Sequence, residues 1–358
     1  MINVTAFGLE RPGMPCFDID LCLALTAPFI DATRDHLMSK AAALLILLVS
    51  CLAQASKADA YGTIRRLGQD AEHEKITRLA LTGQGMGQRT MDELAGKNNT
   101  FGAVGAPDNP VRGLMSKQEA HCDGADYMPI DGYAQTETQA LKKLESCREW
   151  IFRWLDEAVA DAAALVDADG SIRASQTSML VPCIYNGTKG RAKCNVLESL
   201  GLAFHASQDF YSHSNWSDIP RDNPITQLNP PGLANTEIAP WIDPRRSLPT
   251  TSTPITGCYE GFPEAFHCND GPGGRVKHEF LNKDFGAISL DTASIAQART
   301  ERGRMNDNFG RSVRLAIVDT RDKWLYAKQR IVAIYGNKAN RILCAILQDN
   351  PSDALCPP

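Results

Sequence analysis

Several signatures are missing from this chain, and each absence removes a class of protein. Among the 11 cysteines there is no C-x-x-C pair, which excludes the common thiolate zinc ribbons and thioredoxin-type redox sites. No G-x-G-x-x-G fingerprint, internal repeat or heptad pattern occurs, which argues against dinucleotide-binding folds, solenoids and coiled coils. Basic residues are not in excess: 37 Lys and Arg face 42 Asp and Glu, a net charge of −5, so the chain carries no electrostatic footprint for a nucleic-acid backbone. The longest apolar run, 41–53, has 13 residues and is too short to span a bilayer comfortably. Histidine is scarce, at 7 of 358 residues.

That apolar run has a context. Met38-Ser39-Lys40 precedes it and small residues follow, including Ala53-Gln54-Ala55 and Ala58-Asp59-Ala60. A basic start, an apolar stretch and A-x-A sites together read as a secretory signal over 38–60. Residues 1–37 are then expected to be an untranslated upstream extension, and cleavage after Ala60 leaves Tyr61 as the mature N-terminus. The alternative is lipidation at Cys51 in Leu48-Val49-Ser50-Cys51. Export to the periplasm or medium would remove Cys16, Cys22 and Cys51 and leave eight cysteines. An even number fits a disulfide framework. Short loops suggest Cys122–Cys147, Cys183–Cys194, Cys258–Cys268 and Cys344–Cys356.

Helical periodicity dominates residues 61–358, which are expected to form one domain. Helices are predicted over Ala71–Leu81, over Thr136–Val166 with a break near Cys147, and from an Asn195 N-cap to about His213. A last helical stretch is predicted from about Ser289 to Tyr335, with Val313, Ile317, Trp324, Leu325, Ile331 and Ile334 as core and Gly336 as the stop. Between them, 217–274 holds ten prolines from Pro220 to Pro272. It reads as an irregular, lid-like excursion, with His267 as a loop residue.

The scarce histidines are not scattered. His205, Asp209 and His213 stand at i, i+4 and i+8 in HASQDFYSH. On a helix, four residues advance the azimuth by about 400°, so the three side chains form one stripe drifting by about 40° per step. Two imidazoles and a carboxylate on one stripe are a metal-ligand pattern suited to zinc. Further ligands must come from elsewhere: His73 in EHEKIT, His121 in EAHCDGADY with Asp123 and Asp126 behind it, and His278 in KHEFLNKD with Asn282 and Asp284 following.

Those blocks, with LGLAFHASQDFYSHSNW (200–216) and AYGTIRR near the expected cleavage site, resemble the Het-C proteins, whose bacterial members are called CinY-like. Het-C proteins are distantly similar to zinc-dependent phospholipases C and fungal-type zinc nucleases. The resemblance implies an all-α fold: a single helical domain of that type with a long Pro-rich loop insertion, holding two or three zinc ions in a cleft. It implies Tyr61 as a ligand through its terminal amine and carbonyl, with His73, Asp108, His121, His205, Asp209, His213, His278 and Asn282 completing the set. Asp108 takes the role of a bridging ligand or water-activating base, with Asp123 as competitor, and Asp209 bridges two metals. Asn282 departs from the pattern, which has an acid there, and amide oxygen is the poorer zinc ligand. The expected activity is a secreted zinc-dependent phosphoric-ester hydrolase acting on phospholipid or another phosphodiester, with a membrane surface as partner. The alternatives are a zinc nuclease and a non-catalytic, metal-stabilised exported interaction protein.

Overall fold

Apolar periodicity becomes helix over about half of the described residues. The computed structural model describes residues 61–65, 69–219, 224–248, 253–259 and 266–357. The proposed extension (1–37), signal segment (38–60), Cys51 and the side chain of His267 lie outside the described residues. Helix α1 (Glu72–Leu81) starts from Ala71 in the left-handed conformation and carries Glu72 and Glu74 in its first turn, where they complement the helix dipole. Helix α2 (Gln88–Ala95) ends at Gly96. Helix α3 (Gln118–His121) is a single turn ended by Cys122 at φ 55°.

Helix α4 (Glu137–Ala162) begins with a reciprocal capping box between Thr136 and Gln139. It runs through Cys147 without the expected break, because the apolar positions Leu144, Cys147, Ile151 and Leu155 stay on one buried face. After the short α5 (Ala174–Thr177) comes α6 (Ala192–His213), in which every residue except Asn195 is buried. Asn195 is not the N-cap. Arg191 is, and the Asn195 side chain folds back to accept the Gly190 N–H at 2.8 Å. A helix buried all round must sit at the centre of the domain, and α6 packs against α2, α3 and α4 and against α8 (Asn308–Tyr335).

The segment before α8 differs from expectation. From Ser289 the chain is not helical but forms a ribbon, β1 (Ala287–Ile288) antiparallel to β2 (Ile295–Ala296). Ser289 donates its N–H to the Ser294 carbonyl at 2.9 Å, and Ala293 takes φ 50°, so the polar Ser289–Ser294 stretch makes a turn. The single turn α7 (Glu301–Arg304) precedes α8, which stops at Gly336, and α9 (Ala339–Leu347) follows. On α8, Val313, Ala316, Trp324, Ala327 and Ile331 form the buried stripe. Leu325 and Ile334 are 39% and 50% exposed and lie off it.

All four cysteine pairs suggested by loop length are disulfides: Cys122–Cys147, Cys183–Cys194, Cys258–Cys268 and Cys344–Cys356. They fit an oxidising compartment. Among the described residues no helix is long and apolar enough to cross a membrane. The Pro-rich excursion is anchored where it is described. Ser214 pairs with Thr256, and Gly257 donates to the His213 carbonyl at 3.1 Å. A Cβ on Gly257 would lie 2.3 Å from the His278 Cα, so only glycine permits that approach.

One contact positions the functional region. Gly201, in the middle of α6, faces Ala103 so closely that a Cβ would sit 2.3 Å from the Ala103 carbonyl carbon. This approach lets the next residue, Val104, present its carbonyl to His205 one turn further along α6. Helix propensity alone would make Gly201→Ala stabilising by about 1 kcal/mol. The collision is with backbone, so the expected result is a net loss of about 1–3 kcal/mol in urea unfolding. Gly190→Ala, with nothing near its Cβ position, is expected to be neutral or stabilising by up to about 1 kcal/mol.

Candidate metal centre

Helix α6 delivers His205, Asp209 and His213 to one stripe, all with side chains at 0% exposure. Asp209 is the hub. Its Oδ2 lies 2.9 Å from His121 Nδ1 and 3.0 Å from His205 Nε2. Its Oδ1 lies 3.1 Å from His73 Nε2 and 4.0 Å from His213 Nε2. His121 comes from the end of α3 and His73 from the first turn of α1, so three helices converge on one carboxylate. Each carboxylate oxygen faces its own pair of imidazoles.

The outward-facing nitrogens decide the chemistry. His205 Nδ1 donates to the Val104 carbonyl at 2.8 Å, His121 Nε2 to the Leu114 carbonyl at 3.3 Å, and His213 Nδ1 reaches the His121 carbonyl at 3.2 Å. His73 Nδ1 lies 2.7 Å from Gln208 Oε1. The Gln208 amide is oriented in turn, because its Nε2 donates to Thr77 Oγ1 and Thr320 Oγ1 at 3.0 and 3.1 Å. Backbone carbonyls and an oriented amide oxygen only accept. Each ring therefore has its proton on the outer nitrogen and turns a lone pair inward, toward an acceptor-only carboxylate. Lone pairs facing a carboxylate need a cation between them. Metal-bound histidines characteristically donate their second nitrogen in this way.

The unsatisfied atoms agree. His73 Nε2, Asp209 Oδ1 and His213 Nε2 are buried without a hydrogen-bond partner, and they are the atoms aimed at one another. Ligands around a tetrahedral zinc stand roughly 3.3–3.6 Å apart, close to the separations found here. Two groups can hold a metal ion on this basis: His73, His205 and Asp209, and Asp108, His121 and His205. Asp108 completes the second group from 3.6 Å (His205 Nε2) and 3.9 Å (His121 Nδ1), and Thr63 Oγ1 donates to its other oxygen.

A third group forms at the far end of the stripe from Asp123, His213 and His278. Asp123 Oδ1 lies 2.9 Å from His213 Nδ1 and 3.4 Å from His278 Nδ1. Asp284 closes the set, 3.3 Å from His213 Nε2 and 3.2 Å from His278 Nε2, with Ser212 Oγ donating to it. Asn282, the expected ligand after His278, gives its backbone N–H to the His278 carbonyl at 2.9 Å, and the carboxylate beside the imidazole is that of Asp284. The reason is local. His278–Phe280 is one 3-10 turn, Leu281 still has helical φ/ψ, and the chain then leaves the helix so that the acid six residues on reaches the imidazole. Asp123, two residues after His121, follows the left-handed turn at Cys122 that ends α3. Both acids stand beside a histidine in sequence, but only the bend of the chain distinguishes them from Asp126, which instead binds Arg275 at 2.5 Å.

Without a bound cation, the electrostatics press for positive charge. Burial alone would raise the Asp209 pKa, yet the surrounding imidazoles hold it well below the usual carboxylate range. Burial and the adjacent His213 depress the His278 imidazole, but Asp123 and Asp284 outweigh them and push it up to about 9. Asp284 is held down at about 2 by His213 and His278 against its burial. Tyr61 is fully buried, sets its ring edge-on to His73 at 5.7 Å and bonds Ser312 Oγ through its hydroxyl at 2.6 Å. It thus stands beside the cluster.

Residues 160–246 match the family model described as VWA7 N-terminal domain. No curated protein matches the chain, and no solved structure does. The matched span is less than half of the chain. It includes His205, Asp209 and His213 and leaves out the other candidate ligands. The resemblance to Het-C, CinY-like and phospholipase C proteins is therefore corrected, since the matching model is of another family. Ligands one helical turn apart are dictated by helix geometry on any fold, and short blocks without their intervening loops do not identify ancestry.

The orientation of His73 by Gln208 is directly testable. Gln208→Leu keeps the volume but frees Nδ1 to take either tautomer. Metal affinity is expected to fall about 10–100-fold, the usual effect of losing such a partner, as read by titration with a competing chelator. Gln208→Glu, which still accepts from Nδ1, is expected to retain most of it.

Proposed function

We propose that the chain is an exported, metal-dependent phosphoric-ester hydrolase whose buried His/Asp cluster holds two or three zinc ions. The observation that carries this reading is Asp209, whose two oxygens face separate imidazole pairs. A single structural ion does not require a carboxylate shared in this way, whereas a polynuclear centre does. Zinc suits the donor set, which is imidazole nitrogen and carboxylate oxygen throughout. The eight described cysteines are all committed to disulfides.

His73 and Asp209 would hold one ion, Asp108, His121, His205 and Asp209 a second, and His213, His278 and Asp284 a third, with Asp123 accepting from His213 Nδ1. When bound, such a cluster supplies Lewis acidity toward phosphoryl oxygens and acidifies a water toward neutral pH. The protein's own contribution is positional. Asp209, at 0% exposure, cannot meet substrate and would act only as a ligand. Asp108 keeps 17% of its side chain exposed, the most of these ligands. It is the group placed to accept a proton from an attacking water, with Thr63 fixing its carboxylate. The acidic balance of the chain disfavours a polyanionic nucleic acid and leaves phospholipid head groups as the favoured phosphodiester.

One observation favours a second reading. His73, His205 and His213 are wholly buried, as in metal sites that only stabilise a fold, and on that reading the protein is a non-catalytic exported interaction protein. The two readings differ in stoichiometry and turnover. Purified protein is expected to contain two or three equivalents of zinc and to cleave a chromogenic phosphodiester. Asp108→Asn is expected to keep most of the metal and lose hydrolysis by about 10²–10⁴-fold. Asp209→Ala is expected to lose both metal and activity. One ion per chain with no turnover would establish the structural role instead.

A further inference from the structure

Asp284 enters the third ligand group from a stretch of chain that has no regular secondary structure between Leu281 and Ala287. Neither a helix nor a strand ladder fixes its backbone there. Its carboxylate meets His213, His278 and Ser212 Oγ, and these contacts presuppose that the segment already lies against the end of α6.

The residue before it supplies that placement. Lys283 is wholly buried, and its ammonium donates to the Ser214 carbonyl at 2.9 Å and to the Leu281 carbonyl at 2.7 Å, with Asp218 Oδ1 at 3.2 Å. An ammonium has three N–H donors, and three acceptors meet them, so the side chain is held in one position. Ser214 directly follows His213 and is the C-cap of α6, where a cation also complements the helix dipole. Asp218 is fixed in turn by Arg302 Nε at 2.6 Å. Two neighbours on one segment thus grip successive residues of α6: Asp284 meets Ser212 and His213, and Lys283 meets Ser214. The segment's other polar anchor, the Gly286 N–H on Glu72 Oε1 at 3.0 Å, leads to α1 and not to α6. Buried ion pairs contribute little net stability compared with apolar packing, so what the ammonium adds here is placement.

We propose that Lys283 is a positioning residue for the third metal ion: without touching the ion, it clamps the segment so that Asp284 faces His213 Nε2 and His278 Nε2. His213 Nε2 is one of the buried atoms without a hydrogen-bond partner, and a cation between it and Asp284 would satisfy both. This rests on the metal-cluster reading above, but its test is zinc binding and not turnover. Zinc content and affinity are measured on the full chain by titration with a competing chelator. Three equivalents are expected in the unaltered protein. Lys283→Met, nearly equal in length, is expected to weaken one equivalent by about 10–100-fold and to leave the two at Asp209 unchanged. Asp284→Asn is expected to weaken the same equivalent. The double variant is expected to match Asp284→Asn alone, because Lys283 acts only through that carboxylate. A lysine that merely supported the fold would weaken all the ions together, or would add its loss to that of Asp284→Asn. Either result overturns the proposal, as does unchanged affinity in Lys283→Met. Should Lys283→Met not unfold cooperatively in urea, Lys283→Gln replaces it with the same expectations. Failure of both to fold assigns Lys283 to stability and overturns the proposal too. Only two equivalents in the unaltered protein would overturn it while leaving the hydrolase reading intact. Three equivalents with no phosphodiester cleavage would do the reverse.

Discussion

A carboxylate sealed from water must be met by positive charge, and among the described residues no Lys or Arg is placed to supply it at Asp209. Four imidazoles surround it instead, with their lone pairs held inward. Only protons or metal ions satisfy that arrangement. Protons would leave several imidazolium groups in the core, each carrying a desolvation penalty of several kcal/mol. Metal ions resolve the charge and the geometry together. Much of the fold can be understood as the framework needed to keep this charge problem in place.

The framework works through the second nitrogen of each ring. Val104, Leu114 and His121 contribute main-chain carbonyls, and Gln208 contributes an amide that Thr77 and Thr320 orient. These acceptors come from a loop, from the approach to α3, from the end of α3 and from α6 itself. The polar core is therefore satisfied from several directions at once. The glycine at position 201 matters for the same reason, since it admits the loop whose carbonyl fixes His205. A comparable arrangement recurs nearby: buried Asp218 is paired with Arg302 at 2.6 Å and Lys283 at 3.2 Å, and it braces the chain just after α6.

What was readable in the sequence was local. The stripe His205-Asp209-His213 follows from helical spacing, and α6 presents it as one buried face. Disulfides closing short loops were legible because few partners lie within reach. Asp123 and Asp284 were not assigned, because their roles depend on a left-handed turn at Cys122 and a 3-10 turn at His278, which no periodicity announces. Asn282 rests on the family pattern alone, and the acid that reaches His278 is Asp284. The ribbon at 287–296 was misread for a related reason: its two strands are only two residues long, and alternation over two residues gives no signal. The family resemblance rests on short blocks without their intervening loops, and the family model that matches is a different one.

Cys122 stands between His121 and Asp123, which belong to different ligand groups, and its sulfur is bonded to Cys147 on α4. One covalent cross-link thus holds both halves of the centre in register. In a reducing compartment that tether would be missing, and the donors on either side of it would be free to swing apart. The geometry of the two ligand groups is therefore tied to the redox state of a single bond, the Cys122–Cys147 disulfide.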